Sequence, residues 1–287
     1  MSGVREAPWG QTAPTFLGLA ALRRAGMTRA GIARSVASGT LIRARNGRYV
    51  VGGTHPDLEF VARLGGRLDC VSLLRHLGVF VLDGSSMHMQ VDTGASRLPT
   101  PPSGVVRHWR VSRARRDALV ADLTEALAQA VRCQGPREAV ATLDSAWHLG
   151  LIDDEGLALV FERLPERYRV LRFLLDRRSE SGSESLMRLV LRTLDCHVDV
   201  QVKIPGVGRV DFVVDGWLII ECDSERFHST WEAQKRDRRR DLAAAARGYG
   251  TIRILAEDIF YHRDEVRAAL QSTLAHRTAL RRAGARR

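Results

Sequence analysis

Between residues 209 and 223 the chain reads R-V-D-F-V-V-D-G-W-L-I-I-E-C-D, which sets Asp211, Glu221 and Asp223 into two apolar runs. A carboxylate in such surroundings is costly to desolvate and normally needs a metal, a cation or a hydrogen-bond network. Residues 210–214 and 217–222 are rich in β-branched side chains, and Asp215-Gly216 between them tolerates the positive φ of a tight turn, so a β-hairpin is expected. Strands this apolar are expected to be buried on both faces. Glu221 and Asp223 stand two apart and share a face in any register. Asp211 joins them only in some registers. A two-residue loop pairs Asp211 with Ile220 and turns Glu221 away, whereas a loop of three or five residues, or a bulge, brings the two carboxylates together. The odd loop or the bulge is the expectation. Hard oxygen donors converging at a strand end suit Mg²⁺, which makes Asp211 and Glu221 the expected metal ligands. His228, a few residues past the strand, is the candidate general base or water holder. The competing reading is a structural network in which the carboxylates pair with neighbouring arginines and nothing turns over.

The elements that must position these groups follow from periodicity. A basic helix is expected over residues 231–247, with K-R-D-R-R-R-D at 235–241 on it and Leu242, Ala245 and Ala246 as its apolar face toward the sheet. Gly248-Tyr249-Gly250 ends it, residues 251–255 return as a strand parallel to a neighbour, and a last helix covers 265–281. Upstream, Glu184 follows Ser181, Gly182 and Ser183, so it is either a first-turn acid favoured by the helix dipole or a member of the site.

The ordered blocks S-G-S-E-S-L-M-R, V-Q-V-K-I-P-G-V-G-R-V-D-F-V-V, I-I-E-C-D-S-E-R-F-H, K-R-D-R-R-R-D-L-A-A-A-A-R-G-Y and T-I-R-I-L resemble the endonuclease-like domains related to the very-short-patch mismatch-repair nuclease. Those domains belong to the PD-(D/E)XK superfamily. The resemblance implies a restriction-endonuclease-like α/β/α domain over residues 179–287 and Mg²⁺-assisted hydrolysis of phosphodiesters. It makes Glu184 the acidic residue of the first helix, Asp211 the principal metal ligand, and Glu221 and Asp223 the residues of the second acidic strand. His228 becomes the histidine after that strand, and Asp237 with Arg238 the polar pair on the following helix. The superfamily's usual lysine, two residues after the strand glutamate, is here Asp223. His228 or Lys235 must then stand in for it. Arg236, Arg238 and Arg239 are expected to follow a phosphate backbone, the alternative being a solvated charged face.

Near the N-terminus, residues 16–25 have helical periodicity and stop at Gly26, and Thr28 caps a second helix through Val36. L-I-R-A-R-N-G-R-Y-V-V then reads as a hairpin about Asn46-Gly47. Two helices and a basic hairpin suggest a winged helix over residues 12–53, with Arg29, Arg34, Arg43, Arg45 and Arg48 as DNA contacts. The stretch G-T-L-I-R-A-R-N-G-R-Y resembles the N-terminal winged helix of AbiEi-like abortive-infection antitoxins, which implies DNA binding and a toxin or other protein as a partner. A winged helix used for protein contact is the alternative.

The net charge of +11 and pI near 10.5 point to polyanions. Lys203 and Lys235 are the only lysines, so the positive charge is almost all arginine, whose planar fork suits phosphate and guanine edges. Cys70, Cys133, Cys196 and Cys222 are scattered without C-x-x-C spacing, which argues against a zinc site and a disulfide framework. His55, His76, His88, His108 and His148 show no shared ligand spacing. No apolar run approaches the roughly 18 residues of a membrane helix, and a cytoplasmic location is expected. Residues 54–178 are expected to be mixed α/β leading into helices: helices at 58–64, with Asp69 capping a second at 71–77, strands at 87–91 and 105–111, an extended segment at 93–104, and helices at 117–132, 136–149, 153–164 and 166–176. The fold class expected is thus mixed α/β. The function expected is a DNA-binding protein with a metal-dependent endonuclease domain, the alternative being a non-catalytic antitoxin-type regulator.

Overall fold

The computed structural model describes residues 14–223 and 231–284. His228, and residues 12 and 13 of the N-terminal segment, lie outside them. The chain is mixed α/β and separates into two compact units, Met1–Ala139 with Leu149–Phe173, and Val140–His148 with Leu174–Arg287.

The first unit opens with β1 (Leu17–Gly18), α1 (Leu19–Arg24), α2 (Arg29–Ala37), β2 (Leu41–Arg45) and β3 (Arg48–Val51). The helix expected from residue 16 begins only at Leu19, because Leu17 and Gly18 pair with Tyr49 and Arg48 as an edge strand on β3. Thr28 accepts the Gly31 N–H at 3.0 Å and starts α2. Of the two hairpin-tip residues only Gly47 takes a positive φ, 71°, while the Asn46 side chain accepts from Arg43. There follow α3 (Pro56–Arg63), β4 (Arg67–Leu68), α4 (Cys70–His76), β5 (Met87–Val91) and β6 (Val105–Trp109), then α5 (Leu123–Cys133), α6 (Pro136–His148), which belongs to the second unit from Val140 on, α7 (Asp154–Glu162) and a 3₁₀ helix at Glu166–Leu174. The helix expected from residue 117 is delayed to Leu123. Ala118 and Val120 form β-bridges, and Asp122 caps α5 through the Glu125 N–H. Asp69 occupies the N-cap position of α4 but makes no cap bond, since Arg110 takes both its oxygens at 2.6 and 2.9 Å.

β5 runs parallel to β6 and antiparallel to β4. Phe16 and Val50 share one core with Leu58, Val61, Leu68, Leu73, Met89, Leu119 and Ala126, so the N-terminal elements are packed with those that follow.

The second unit contains α8 (Gly182–Leu191), β7 (Val198–Ile204), β8 (Gly208–Val214), β9 (Leu218–Asp223), α9 (Trp231–Ala245), β10 (Gly250–Leu255), α10 (Ala256–Tyr261) and α11 (Arg263–Gly284). The periodicity of the sequence did not separate α10. The sheet order is β10-β9-β8-β7, with β10 parallel to β9 and the other neighbours antiparallel. β8 and β9 are therefore central, which is why Phe212, Val213, Val214, Ile219 and Ile220 are buried whichever face they point to. No helix among the described residues is long and apolar enough to cross a membrane.

Asp144 on α6, fully buried, ties this unit together. It accepts from Ser185 at 2.8 Å, from Arg188 at 2.7 Å and from the Asp176 N–H at 2.8 Å. Both oxygens of the carboxylate are engaged, and removing it strands the buried Arg188 guanidinium. Asp144→Ala is expected to cost about 3–5 kcal/mol in urea denaturation; a loss under about 1 kcal/mol would show that the pair is no more than a surface-type contact.

Candidate functional site

The strand register decides the site. Phe212, Val213 and Val214 pair with Ile220, Ile219 and Leu218, so three residues, Asp215, Gly216 and Trp217, connect the strands. Asp215 and Gly216 take φ of 50° and 69°, the turn conformation read from their types. Trp217 is the extra residue: its carbonyl accepts from Gly250 on β10 at 2.9 Å, which commits it to the parallel neighbour. Continuing the register one step sets Asp211 opposite Glu221.

Contacts agree with that placement. The Asp211 N–H donates to Glu221 Oε2 at 3.4 Å, and the Cys222 N–H donates to Asp211 Oδ2 at 2.9 Å. By alternation Asp211, Glu221 and Asp223 share a face with Val213 and Ile219, which pack with Ala244 of α9. Burial drives the pKa of both Asp211 and Glu221 upward. For Glu221 the Asp211 charge adds to the rise while Arg240 and Arg253 oppose it; for Asp211 the Cys222 N–H opposes it and Glu180 and Asp223 add.

Glu184 is both capping residue and neighbour of the site. Its N–H donates to Ser181 Oγ at 3.2 Å and its Oε2 accepts from the Glu180 N–H at 2.9 Å, a first-turn role on α8. The same oxygen accepts from Gln201 Nε2 at 2.8 Å, and burial followed by Asp211 raises its pKa. Gln201 was not singled out in the sequence. It lies on β7 between the pairs Val200↔Phe212 and Val202↔Val210, which is the position opposite Asp211, and its φ is +55°. A non-glycine residue held there costs of order 1–3 kcal/mol and marks a constrained position. Its Oε1 is buried and has no hydrogen-bond partner among the described residues.

The cations are sorted differently from the expectation. Lys235 pairs with Glu232 at 2.6 Å and lies 5.5 Å from the Trp231 ring, and Arg238 stacks on the same ring at 5.8 Å. Arg236 and Arg239 are exposed. Arg240 is the residue that reaches inward, donating to Glu221 Oε1 at 3.0 Å and to the carbonyls of Val207 and Arg209. Arg253, directly across from Glu221 on β10, bridges Asp223 and Asp241. The helix face also needs correcting. Leu242, Ala245 and Ala246 point outward, and Ala243 and Ala244 meet the sheet, because the anchored Arg240 brings position 244 to its own side one turn later. Asp237 is half-buried on α9.

In the first unit Arg29 and Arg34 on α2 are exposed. Arg48 stacks on Phe16 at 5.2 Å, Arg43 is held by Asn46, and Arg45 donates to the Arg97 carbonyl at 2.9 Å. Cysteine and histidine spacing had pointed away from a metal, yet the fold gathers Cys70, His88, His108 and Cys133 with their ligand atoms within 4.8 Å of one another, and likewise His55, Asp57 and His76. The ligands arrive from separate elements, which spacing along the chain does not reveal.

No family model matches the chain, and no curated protein matches it.

Burial raises the folded pKa values of Asp211, Glu221 and Glu184 above the unfolded ones. The stability they permit is complete below the unfolded values, near 4, and is lost as pH rises through the raised folded values. Asp211→Asn keeps an acceptor for the Cys222 N–H and removes the charge that burial penalises, so it is expected to raise the Tm at neutral pH. Thermal melts across pH 4 to 8 read this; a lower Tm for Asp211→Asn at neutral pH would mark the carboxylate as structural.

Proposed function

We propose that the second unit is a metal-dependent phosphodiester hydrolase and that the first unit holds the chain on DNA. The observation that carries the reading is the β8–β9 register, which sets Asp211, with one hydrogen-bond donor among the described residues, beside the Arg240-paired Glu221 just past the end of their shared ladder. Asp211 has a single hydrogen-bond donor among the described residues, and its neighbour Glu221 repels it. Such a pair is the donor set a hard divalent cation satisfies, so Asp211 and Glu221 would hold Mg²⁺. When bound, the ion would polarise a scissile phosphate and acidify a water.

The chain's own residues supply the rest. Arg240, within reach of Glu221, brings a fixed positive charge to the place where phosphate charge would develop. It serves better than Lys235, which its own helix holds, as the substitute for the lysine that Asp223 displaces. Gln201, opposite Asp211, offers a buried acceptor oxygen suited to orienting a water. Glu184 fixes the Gln201 amide rather than the metal. His228 remains the candidate proton acceptor from the sequence. Exposed Arg29 and Arg34 on α2 are the cations of the helix–hairpin segment best placed for phosphate contact, whereas Arg45 is spent on its own fold.

One observation favours a second reading, a non-catalytic regulator that only binds nucleic acid or a partner such as a toxin. Arg240 and Arg253 already neutralise Glu221 and Asp223 within the chain, as an inert network would.

Nicking of supercoiled plasmid separates the two. The hydrolase reading expects nicking with Mg²⁺ or Mn²⁺, none with EDTA, and loss in Asp211→Ala and Glu221→Ala; Arg240→Met is expected to lower the rate about 100-fold while DNA binding persists. Binding without nicking by the wild type across DNA and RNA substrates leaves the regulator. Separately, Arg29→Ala with Arg34→Ala is expected to weaken DNA binding and to shallow its salt dependence by about 0.9 in slope per lost phosphate contact, measured by fluorescence anisotropy over a salt series.

A further inference from the structure

The four residues gathered in the first unit are set apart from the carboxylate chemistry. Cys70 is the first residue of α4, His88 lies on β5, His108 on β6, and Cys133 ends α5. β5 and β6 are parallel with His88 opposite Val106, so His108, two residues on, projects from the same face diagonally across from His88. His88 Nδ1 and His108 Nε2 are 3.1 Å apart, and His108 Nε2 is 3.8 Å from Cys133 Sγ. Ligand bonds of about 2.05 Å to nitrogen and about 2.3 Å to sulfur in a tetrahedron require about 3.4 Å between two nitrogens and about 3.6 Å between nitrogen and sulfur. The observed separations match within a few tenths of an ångström.

Three more features fit a metal centre. Cys70 holds a φ of +53°, a conformation a non-glycine residue rarely takes, and it is fully buried, so its thiol is aimed at a fixed point at some backbone cost. Gln129 Nε2 donates to Cys133 Sγ at 3.3 Å, a hydrogen bond of the kind that orients a thiolate ligand. Cys133 is exposed, and a cavity of about 200 Å³ is lined by His88 and Cys133 of the cluster together with the acidic Asp83 and Glu138.

We propose that Cys70, His88, His108 and Cys133 form a structural Zn²⁺ site. Two thiolates and two imidazoles fill a tetrahedral shell and leave no open position for catalysis, and this soft and borderline donor set selects zinc over the Mg²⁺ assigned to the second unit. Both thiols give up their protons on binding. The ion would link the start of α4, two strands and the end of α5, and the sheet those strands belong to has a third strand of only two residues, Arg67–Leu68. Metal binding there is folding energy for the first unit.

The test uses the full chain, produced without a histidine tag, with metal measured by inductively coupled plasma mass spectrometry. One zinc per chain that survives dialysis is expected, together with a Co²⁺-substituted protein showing tetrahedral d–d bands and thiolate charge transfer. Cys133→Ser, at an exposed helix end, is expected to abolish the charge transfer from that thiolate and the retention of zinc while the far-ultraviolet circular dichroism stays. Asp211→Ala is expected to keep both zinc and spectrum, which separates this site from the hydrolase reading whether or not plasmid is nicked. Wild-type protein that takes up neither Zn²⁺ nor Co²⁺ would overturn the proposal. So would Co²⁺ binding without thiolate charge transfer, or a Cys70–Cys133 disulfide found in metal-free protein by mass spectrometry and resistant to zinc after reduction.

Discussion

The second unit is organised around the cost of keeping carboxylates in a sheet whose central strands are covered on both faces. Moving a charge out of water is tolerated only where partners repay it, and Asp211 and Glu221 sit where the repayment is incomplete. Everything near them answers to this. Trp217 adds the third residue of the β8–β9 connection and so turns Asp211 to the face of Glu221; Arg240 reaches in from α9; Arg253 stands across β10; Gln201 takes a left-handed backbone conformation opposite Asp211.

Asp144 supplies the contrast within the same unit. It is more deeply buried than Asp211, yet it receives a hydroxyl, a guanidinium and a backbone N–H. Asp211 receives one backbone N–H among the described residues and has acidic neighbours. Three donors hold Asp144 in the architecture, although burial still pushes its pKa up to about 6. Asp211, with a single donor beside another carboxylate, is the residue on which the metal-ligand proposal draws.

The same logic of compensation orders the first unit. Asp69 forgoes its capping role on α4 because Arg110 claims both its oxygens, and Arg110 in turn lies near Glu125. That network fixes the start of α4, where Cys70 bends into its unusual φ beside the two histidines of β5 and β6. Arginine-rich composition therefore has several uses here. Part of the charge is internal cement, as at Arg67, Arg110, Arg188 and Arg240, and part, as at Arg29 and Arg34, is displayed to solvent.

Local physics was legible in the residues. Period-two and period-3.6 patterns located β5, β8, β9, β10, α2 and α9, and Asp215-Gly216 announced the turn, because side-chain alternation and allowed φ are properties of short stretches. Glu221 and Asp223 were bound to share a face for the same reason. Which face Asp211 joined was left to the connection length, and that was settled by a carbonyl of Trp217 bonding to a strand more than thirty residues away. That Arg240 and not Lys235 reaches Glu221 was not legible, since helical phase relative to the sheet depends on packing that the helix's own sequence, charged nearly all round, does not specify. Leu242 was taken for core on the same insufficient basis. Cys70, His88, His108 and Cys133 carry no spacing signature at all; a cluster assembled from two helices and two parallel strands exists only once those elements are packed, because its geometry is set by inter-element distances and not by neighbours along the chain.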